Sequence, residues 1–160
     1  MEIVVYQEKY KNQIIKLFED FQNYLIKLDP LKRLRRLPGY GENVIKDTLK
    51  EISEKDGIFY LAVEEDRVLG FIVGVLEKMT EEDLRSAYPV LKGRVTELYV
   101  IPESRSKGLG KALMDKMEQY FKDKDCNYIW IEVFVPNELA HSFYLKNGYH
   151  DRDIEMVKKL

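Results

Sequence analysis

The sequence contains almost no cysteine and no long apolar run. Cys126 is the single cysteine among 160 residues, so no internal disulfide can form, and this composition fits a reducing cytoplasm. The longest hydrophobic stretch, Leu69–Leu76, is far shorter than the roughly 20 residues that a membrane span requires. No basic stretch followed by an apolar core opens the chain, which argues against a signal peptide. We therefore expect a cytoplasmic protein with no membrane partner.

An excess of charge of one sign is also missing. Lysine and arginine total 26 and aspartate and glutamate total 28, which leaves a formal net charge of -2. Proteins that bind nucleic acid through its phosphates are normally clearly basic, so we expect no nucleic-acid partner. One basic run is present: Lys32, Arg33, Arg35 and Arg36. We interpret it as a solvated loop, with an anion-recognising substrate lid as the alternative.

Histidine is scarce as well. His141 and His150 are the only two histidines, and their spacing does not indicate a metal site, so no metal is expected. Cys126 directly precedes a predicted strand and is interpreted as a packed or partly exposed residue rather than a nucleophile. Chemistry that depends on a metal, or on a cysteine nucleophile, is therefore not what this sequence predicts.

The apolar pattern predicts one domain over residues 1–160, because there is no repeat, low-complexity tract or flexible linker. Apolar residues at steps of three and four predict four helices: residues 14–28, 44–52, 108–124 and 137–147. Short β-rich segments predict six strands: residues 2–6, 58–64, 68–76, 95–101, 127–135 and 154–158. The resulting order, β-α-α-β-β-β-α-β-α-β, predicts an α/β (α+β) sheet with helices on its faces.

One loop combines glycines with positive charge directly before a helix. It begins after Pro102 and reads Arg105-Ser106-Lys107-Gly108-Leu109-Gly110-Lys111-Ala112. The first turn of a helix has unpaired N–H groups and partial positive charge, and glycine allows an anion to approach the backbone. A pyrophosphate is the expected guest. The nucleoside-triphosphate motif is excluded because it requires Ser or Thr at position 112, and the dinucleotide motif because it requires Gly at position 113.

The arrangement Arg-x-x-Gly-x-Gly resembles the acyl-CoA pyrophosphate loop of the GNAT superfamily of N-acetyltransferases. The preceding segment, residues 97–100 before Pro102, is similar to the central strand of that family. A second signature follows as Asn137-x-x-Ala140-x-x-x-Tyr144 and then Asn147-Gly148-Tyr149. Both signatures, separated by a predicted helix and strand, resemble the family along essentially the whole chain. The resemblance implies a GNAT-like mixed, mostly antiparallel central sheet with helices on both faces.

The resemblance also assigns roles to particular residues. Leu98 and Val100 would offer backbone groups to the pantetheine arm of acetyl-CoA, and Asn137 and Ala140 would line the cofactor. Tyr144 would lie beside the sulfur and protonate the departing thiolate, the alternative being a core aromatic. The pyrophosphate would be held within the loop formed by Arg105, Ser106, Lys107, Gly108, Leu109, Gly110, Lys111 and Ala112. Ser106 is the one departure, since the family most often has glycine there.

Glu97 is a carboxylate in an otherwise apolar strand beside the expected cofactor cleft. A carboxylate there can accept the proton of a substrate ammonium, directly or through water. The alternative is a solvent-facing or ion-paired glutamate. We therefore treat Glu97 and Tyr144 as the candidate catalytic pair.

The function expected from the resemblance is transfer of an acetyl group from acetyl-CoA to a primary amine by direct attack in a ternary complex. A non-catalytic acyl-CoA-binding regulatory module is the alternative. The segments expected to form the acceptor side have no family signature, so a polyamine-like or aminoglycoside-like amine, an amino acid and a peptide N-terminus all remain open. A homodimer is common among families of this resemblance.

Overall fold

The computed structural model describes residues 1–159 and forms a five-stranded sheet with four α-helices. The strands are β1 (Glu2–Val5), β2 (Ile58–Glu64), β3 (Arg67–Lys78), β4 (Leu91–Val100) and β5 (Tyr128–Ile131). The helices are α1 (Lys11–Leu28), α2 (Tyr40–Glu54), α3 (Leu109–Asp123) and α4 (Glu138–Lys146). Short 3₁₀ turns precede α1, lie between β3 and β4, and follow β4: Glu8–Tyr10, Asp83–Arg85 and Pro102–Ser104.

The strands lie in sequence order, β1-β2-β3-β4-β5. The first four pair antiparallel, and β5 pairs parallel to β4. The predicted mixed and mostly antiparallel sheet is confirmed. β4 begins earlier than predicted because Leu91 still pairs with Lys78 at the end of the long strand β3.

The predicted sixth strand at residues 154–158 is wrong. No ladder partner is found for these residues within the described chain, and Ile154, Met156 and Val157 are 77%, 89% and 73% exposed. An alternating pattern favours a strand only where a neighbouring strand pairs with it. The fifth strand is also shorter than predicted, since its pairing with β4 stops at Ile131.

Helices cover both faces of the sheet, as predicted. On one face, Phe18 of α1 lies 4.8 Å from Phe71 of β3, measured between ring centroids, and Phe21 lies 5.3 Å from Tyr99 of β4. On the other face, α3 buries Leu109, Leu113, Met114, Met117 and Phe121. The sheet is therefore the middle layer of three, with an apolar core on each side.

A bulge interrupts β4 where it faces the middle of β3. Val73 pairs with Glu97, but the next residue, Gly74, pairs with Val95, so Thr96 is an extra residue on β4. On the N-terminal side of the bulge, Val95 is on the α3 face with Gly74, whose missing side chain leaves room for α3. On the C-terminal side of the bulge, Glu97 shares the other face of the sheet with Tyr99, on the side of α1 and α2. One extra residue therefore transfers Glu97 from the α3 face to the opposite face.

Close packing of α3 against β4 generates a prediction at Gly93. A β-carbon at this position would lie 2.5 Å from Cγ of the buried Phe121 ring, so Gly93→Ala overpacks the core. We expect its free energy of unfolding to fall by about 1–3 kcal/mol in a denaturant titration. Gly110→Ala is the matched control, because its β-carbon would meet Phe143 at an ordinary 3.5 Å. Equal stability of the two variants would contradict this packing.

Candidate active site

The strands β4 and β5 separate just past the bulge. Their pairing ends at Val95 with Ile131, so residues 97–100 have a neighbouring strand on the β3 side only. The N–H of Ile101 donates to the carbonyl of Leu69 at 3.0 Å, which fixes the alternation of the antiparallel ladder. By that alternation, Leu98 and Val100 turn their backbone groups away from β3 and toward the opening between β4 and β5. These are the two residues expected to offer backbone groups to a cofactor.

The loop after β4 ends at the beginning of α3. Gly108 is the N-cap with φ of 81°, and the N–H of Ala112 makes the first helical hydrogen bond, to the carbonyl of Gly108 at 3.0 Å. The N–H groups of Leu109, Gly110 and Lys111 precede that bond and have no helical partner. They form a cluster of free donors at the positive end of a 15-residue helix, which suits an anion.

Ser106, the one departure from the expected loop pattern, has φ of 60°. This left-handed conformation is the one that glycine adopts at least cost, which explains why a glycine is usual there. Ser106 adopts this conformation despite its side chain, so the shape of the turn is retained. Its side chain is exposed.

The three cations of the loop point in different directions. Lys107 is exposed, and Lys111 pairs with Asp115 one turn along α3. Arg105 donates from Nε to the carbonyl of Val100 at 2.9 Å. Its guanidinium also lies over the rings of two tyrosines, Tyr24 at 5.1 Å and Tyr99 at 5.6 Å. Arg105 therefore fastens the loop to the end of β4, and the Val100 N–H is the group left facing the opening.

Glu97 lies in a half-buried position between the sheet, α2 and α4. Burial raises the pKa of its carboxyl to about 7, and the neighbouring carboxylate Glu51 on α2 adds to the rise. Within residues 1–159, no cation or hydrogen bond opposes that shift. Glu97 is thus neither a solvent-facing nor an ion-paired glutamate. A group with a pKa near 7 both accepts and releases a proton at neutral pH.

Tyr144 occupies the neighbouring position on α4. It is 8% exposed and packs between Phe143 and Tyr149, with ring centroids 5.3 and 5.8 Å away. Burial raises the pKa of its hydroxyl to about 12, and the charge on Glu97 adds to the rise. The effect of the Glu97 charge on the pKa of Tyr144 shows that the two side chains lie in the same region of the site. At neutral pH Tyr144 keeps its proton.

Asn137 is the N-cap of α4 and joins that helix to the rest of the site. Its Oδ1 accepts a hydrogen bond from the N–H of Ala140 at 3.3 Å, as predicted for a helix cap. The same oxygen accepts a second one from the hydroxyl of Tyr24 on α1 at 3.1 Å. Asn137 is half-buried, in the same region of α4 as the half-buried Ala140.

Three residues near the site were missed by the sequence analysis: Tyr24, Tyr40 and Glu51. Each lies on α1 or α2, and burial together with Glu97 raises the pKa of Tyr40. No local motif marks them, because their role comes from the packing of these helices over β4. Only their position on a polar edge of an amphipathic helix was available as a signal.

The basic run of residues 32–36 lies in the connection between α1 and α2, as predicted. Asp29 accepts hydrogen bonds from the backbone N–H groups of Leu31, Arg33 and Leu34, which orders this connection and lowers the pKa of Asp29. Arg36 pairs with Glu19 of α1 at 3.2 Å. The other basic side chains of the run are exposed, in agreement with a solvated loop.

Two features are absent from residues 1–159. No helix in this part of the chain is long and apolar enough to cross a membrane. No three histidine, cysteine, aspartate or glutamate side chains in the same range are grouped as metal ligands would be.

The sequence of the chain matches a known family. The sequence model of the Acetyltransferase (GNAT) family matches residues 16–149. The chain is 37% identical over 97 residues to an uncharacterized N-acetyltransferase of Methanocaldococcus jannaschii, covering 60% of this chain and 54% of that protein. It is 27% identical over 114 residues to the spermidine N(1)-acetyltransferase of Thermoplasma acidophilum, covering 71% of this chain and 63% of that protein. The matched region thus spans little more than half the length of these curated relatives.

Solved structures share the fold at low identity. A variant of a Bacillus halodurans protein superposes with a TM-score of 0.88 at 18% identity, covering 100% of this chain and 99% of that one. An aminoglycoside antibiotic 6'-N-acetyltransferase from Acinetobacter haemolyticus superposes with a TM-score of 0.72 at 14% identity, again covering 100% and 99%. At these identities the superpositions establish the fold and nothing finer.

The raised pKa of Glu97 predicts how stability depends on pH. The folded state binds this proton up to about pH 7, whereas the unfolded chain releases it near the ordinary value of 4.5. Between these values the free energy of unfolding therefore falls as pH rises, by up to about 3 kcal/mol. Glu97→Gln removes this dependence, so the variant should match the wild type near pH 4 and exceed it in stability at pH 8.

Denaturant titrations at pH 4, 6 and 8 measure this effect. Glu82→Gln, at an exposed position, is the control and should follow the wild type at every pH. A stability difference between Glu97→Gln and the wild type that is constant across the three pH values would contradict a raised pKa of the Glu97 carboxyl.

Proposed function

Because this chain belongs to the GNAT acetyltransferase family, we propose that it transfers an acetyl group from acetyl-CoA to a primary amine by direct attack in a ternary complex. The observation that carries the proposal is that buried Glu97, whose pKa is raised to about 7, lies near enough to Tyr144 for its charge to help raise the pKa of that residue to about 12. We propose these two residues as the proton acceptor and the proton donor. A module that only binds acyl-CoA has no need of such a pair.

The residues at this opening fit acetyl-CoA. The free N–H groups of Leu109, Gly110 and Lys111 suit its pyrophosphate, and the outward backbone of Leu98 and Val100 suits the amides of its pantetheine arm. Asn137 and Ala140 would line the arm from α4. The loop from Arg105 through Ala112 would hold the phosphates mainly by its backbone, since Arg105 anchors the loop to β4. When bound, acetyl-CoA supplies an acetyl group activated as a thioester.

Glu97 is proposed as the base that acts on the amine. An alkyl ammonium has a pKa of about 10.4 and is mostly unable to attack at neutral pH. Glu97, once ionised, accepts a proton from the ammonium at its carboxylate oxygen, directly or through water. Its burial matches its pKa to neutral pH, which is where a base is most efficient. The neighbouring carboxylate Glu51 adds negative charge that favours a cationic acceptor.

Tyr144 is proposed as the acid that completes the transfer. A thiol has a pKa of about 8.5, so a departing thiolate gains from receiving a proton. The hydroxyl of Tyr144 stays protonated at neutral pH and is held in place by Phe143 and Tyr149. The acceptor would be bound by α1, α2, residues 31–41 and residues 80–92. Its identity within the amines stays open, and spermidine is one candidate because a relative acts on it.

The test of this function is a panel of amines incubated with acetyl-CoA, with the released thiol as readout. The panel includes spermidine, an aminoglycoside, free amino acids and a peptide with a free N-terminus. Thiol release that depends on an amine supports the enzyme. Tight CoA binding without thiol release for any amine would instead favour the regulatory module.

Gly110 tests the pyrophosphate loop. Gly110→Val places a branched side chain among the free N–H groups, so we expect CoA affinity to fall at least about ten-fold by calorimetry, as for loss of one charge-assisted hydrogen bond. Its melting temperature should change little. Ala87→Val adds similar bulk at an exposed site between β3 and β4 and serves as control. Full CoA affinity in folded Gly110→Val would remove the loop assignment.

Glu97→Gln tests the base in kinetics. In the wild type, turnover should fall as the pH drops through about 7, because Glu97 becomes protonated. The variant should lose about 10²–10⁴ in kcat at neutral pH and regain part of it at high pH, where free amine becomes abundant. An unchanged pH–rate profile would assign the inflection near pH 7 to another group.

Tyr144→Phe tests the acid. The ring and its packing remain, so acetyl-CoA affinity should stay within a few fold, while kcat falls about ten-fold or more, toward the usual 10²–10⁴ for a lost acid. Tyr149→Phe is the matched control, because its hydroxyl contacts Glu118 of α3 instead. Equal turnover of both variants would make Tyr144 a packing residue.

A further inference from the structure

Tyr24 of α1 contacts both sides of the opening that is proposed for acetyl-CoA. Its hydroxyl donates to Oδ1 of Asn137 at the beginning of α4, at 3.1 Å. Its ring lies under the guanidinium of Arg105, with 5.1 Å between Cζ and the ring centroid. Arg105 in turn holds the carbonyl of Val100 at the end of β4. One side chain thus links the helix that packs over the sheet to the two segments that would hold the cofactor.

Two hydrogen bonds, one of them from Tyr24, hold the Asn137 carboxamide in one orientation. The amide oxygen receives two donors, the hydroxyl of Tyr24 and the N–H of Ala140, the latter at a long 3.3 Å. The N–H of Ala140 can only donate, so the amide oxygen lies on this side, where the Tyr24 hydroxyl adds a second and shorter bond, and the NH₂ group faces the other way. Among residues 1–159, no acceptor is found for the NH₂ group of Asn137, which is therefore a free pair of donors.

A free pair of N–H donors suits a carbonyl acceptor. The pantetheine arm of CoA carries two amide carbonyls, whereas the nucleotide half carries none. Without the hydroxyl of Tyr24, Asn137 keeps only the long bond from Ala140 and its amide can rotate. Tyr24 therefore acts on the arm of the cofactor and leaves the pyrophosphate loop, with its own backbone donors, largely unaffected.

We infer that Tyr24 is a positioning residue for the donor substrate: it fixes the Asn137 carboxamide so that its NH₂ group receives a carbonyl of the pantetheine arm. This inference rests on the proposed use of acetyl-CoA and adds a residue from α1 to the cofactor side of the site. It also links α1, which belongs to the acceptor side, to cofactor binding.

The experiment compares two ligands on Tyr24→Phe by calorimetry, namely CoA and adenosine 3'-phosphate 5'-diphosphate, the nucleotide half without the arm. We expect CoA affinity to fall about five-fold, as for loss of one neutral hydrogen bond, and nucleotide affinity to stay unchanged. Tyr120→Phe is the matched control, because its hydroxyl donates to the carbonyl of Asp56, away from the opening. That variant should bind both ligands as the wild type does.

A double variant separates positioning from general loosening. If Tyr24 acts through Asn137, then Tyr24→Phe combined with Asn137→Ala binds CoA no more weakly than Asn137→Ala alone. Additive losses, an unchanged CoA affinity in Tyr24→Phe, or an equal loss for both ligands would each overturn the inference. Melting curves of every variant show that the compared proteins are folded.

The outcomes also separate this inference from the proposed function. Wild-type protein that binds CoA but acetylates no amine contradicts catalysis and still allows the Tyr24 comparison to be read. Wild-type protein that does not bind CoA overturns both. Selective loss of CoA affinity in Tyr24→Phe supports the inference whichever amine is the acceptor.

Discussion

The extra residue Thr96 in β4 is the constraint on which the site depends. On its N-terminal side, β4 is paired with both β3 and β5 and contributes Val95 to the core under α3. On its C-terminal side, β5 has separated, and the backbone of Leu98 and Val100 faces an opening instead of a strand. The same bulge turns Glu97 to the face of α1 and α2. A single local irregularity thus lies where the proposed cofactor opening begins and sets the orientation of the Glu97 carboxylate.

Burial gives the two candidate catalytic groups complementary properties. Removing a carboxyl or a phenol from water disfavours its charged form, so the pKa values of Glu97 and Tyr144 both rise. The raised pKa of the Glu97 carboxyl lies near neutral pH, so this group can both accept and release a proton there. For the phenol, the rise moves ionisation far above neutral pH and secures a donor. One environment would therefore separate the proposed acid role of Tyr144 from the proposed base role of Glu97.

The helices on the α1 face would connect the sites proposed for the two substrates. α2 carries Glu51 and Tyr40 toward Glu97, and α1 carries Tyr24 to Asn137. Aromatic packing of Phe18 and Phe21 against the sheet fixes α1 relative to β3 and β4. Residues that would contact the acceptor and residues that would orient the donor thus belong to the same rigid layer.

From the sequence alone, the family and the layered fold were predicted correctly, because they depend on local patterns: periodicity, glycine spacing and two short signatures. The same patterns predict an anion-binding loop and the pair Glu97 and Tyr144, which stay predictions. The sequence did not reveal that Thr96 is a bulge, since simple alternation puts Val95 and Glu97 on one face. It also wrongly predicted a strand at residues 154–158, because strand formation requires a partner that the pattern does not supply. The tertiary structure alone decided the pKa of Glu97, the turn of Arg105 toward Val100 and the bond from Tyr24 to Asn137. These arise from contacts between segments distant in the chain, and no local pattern encodes such contacts.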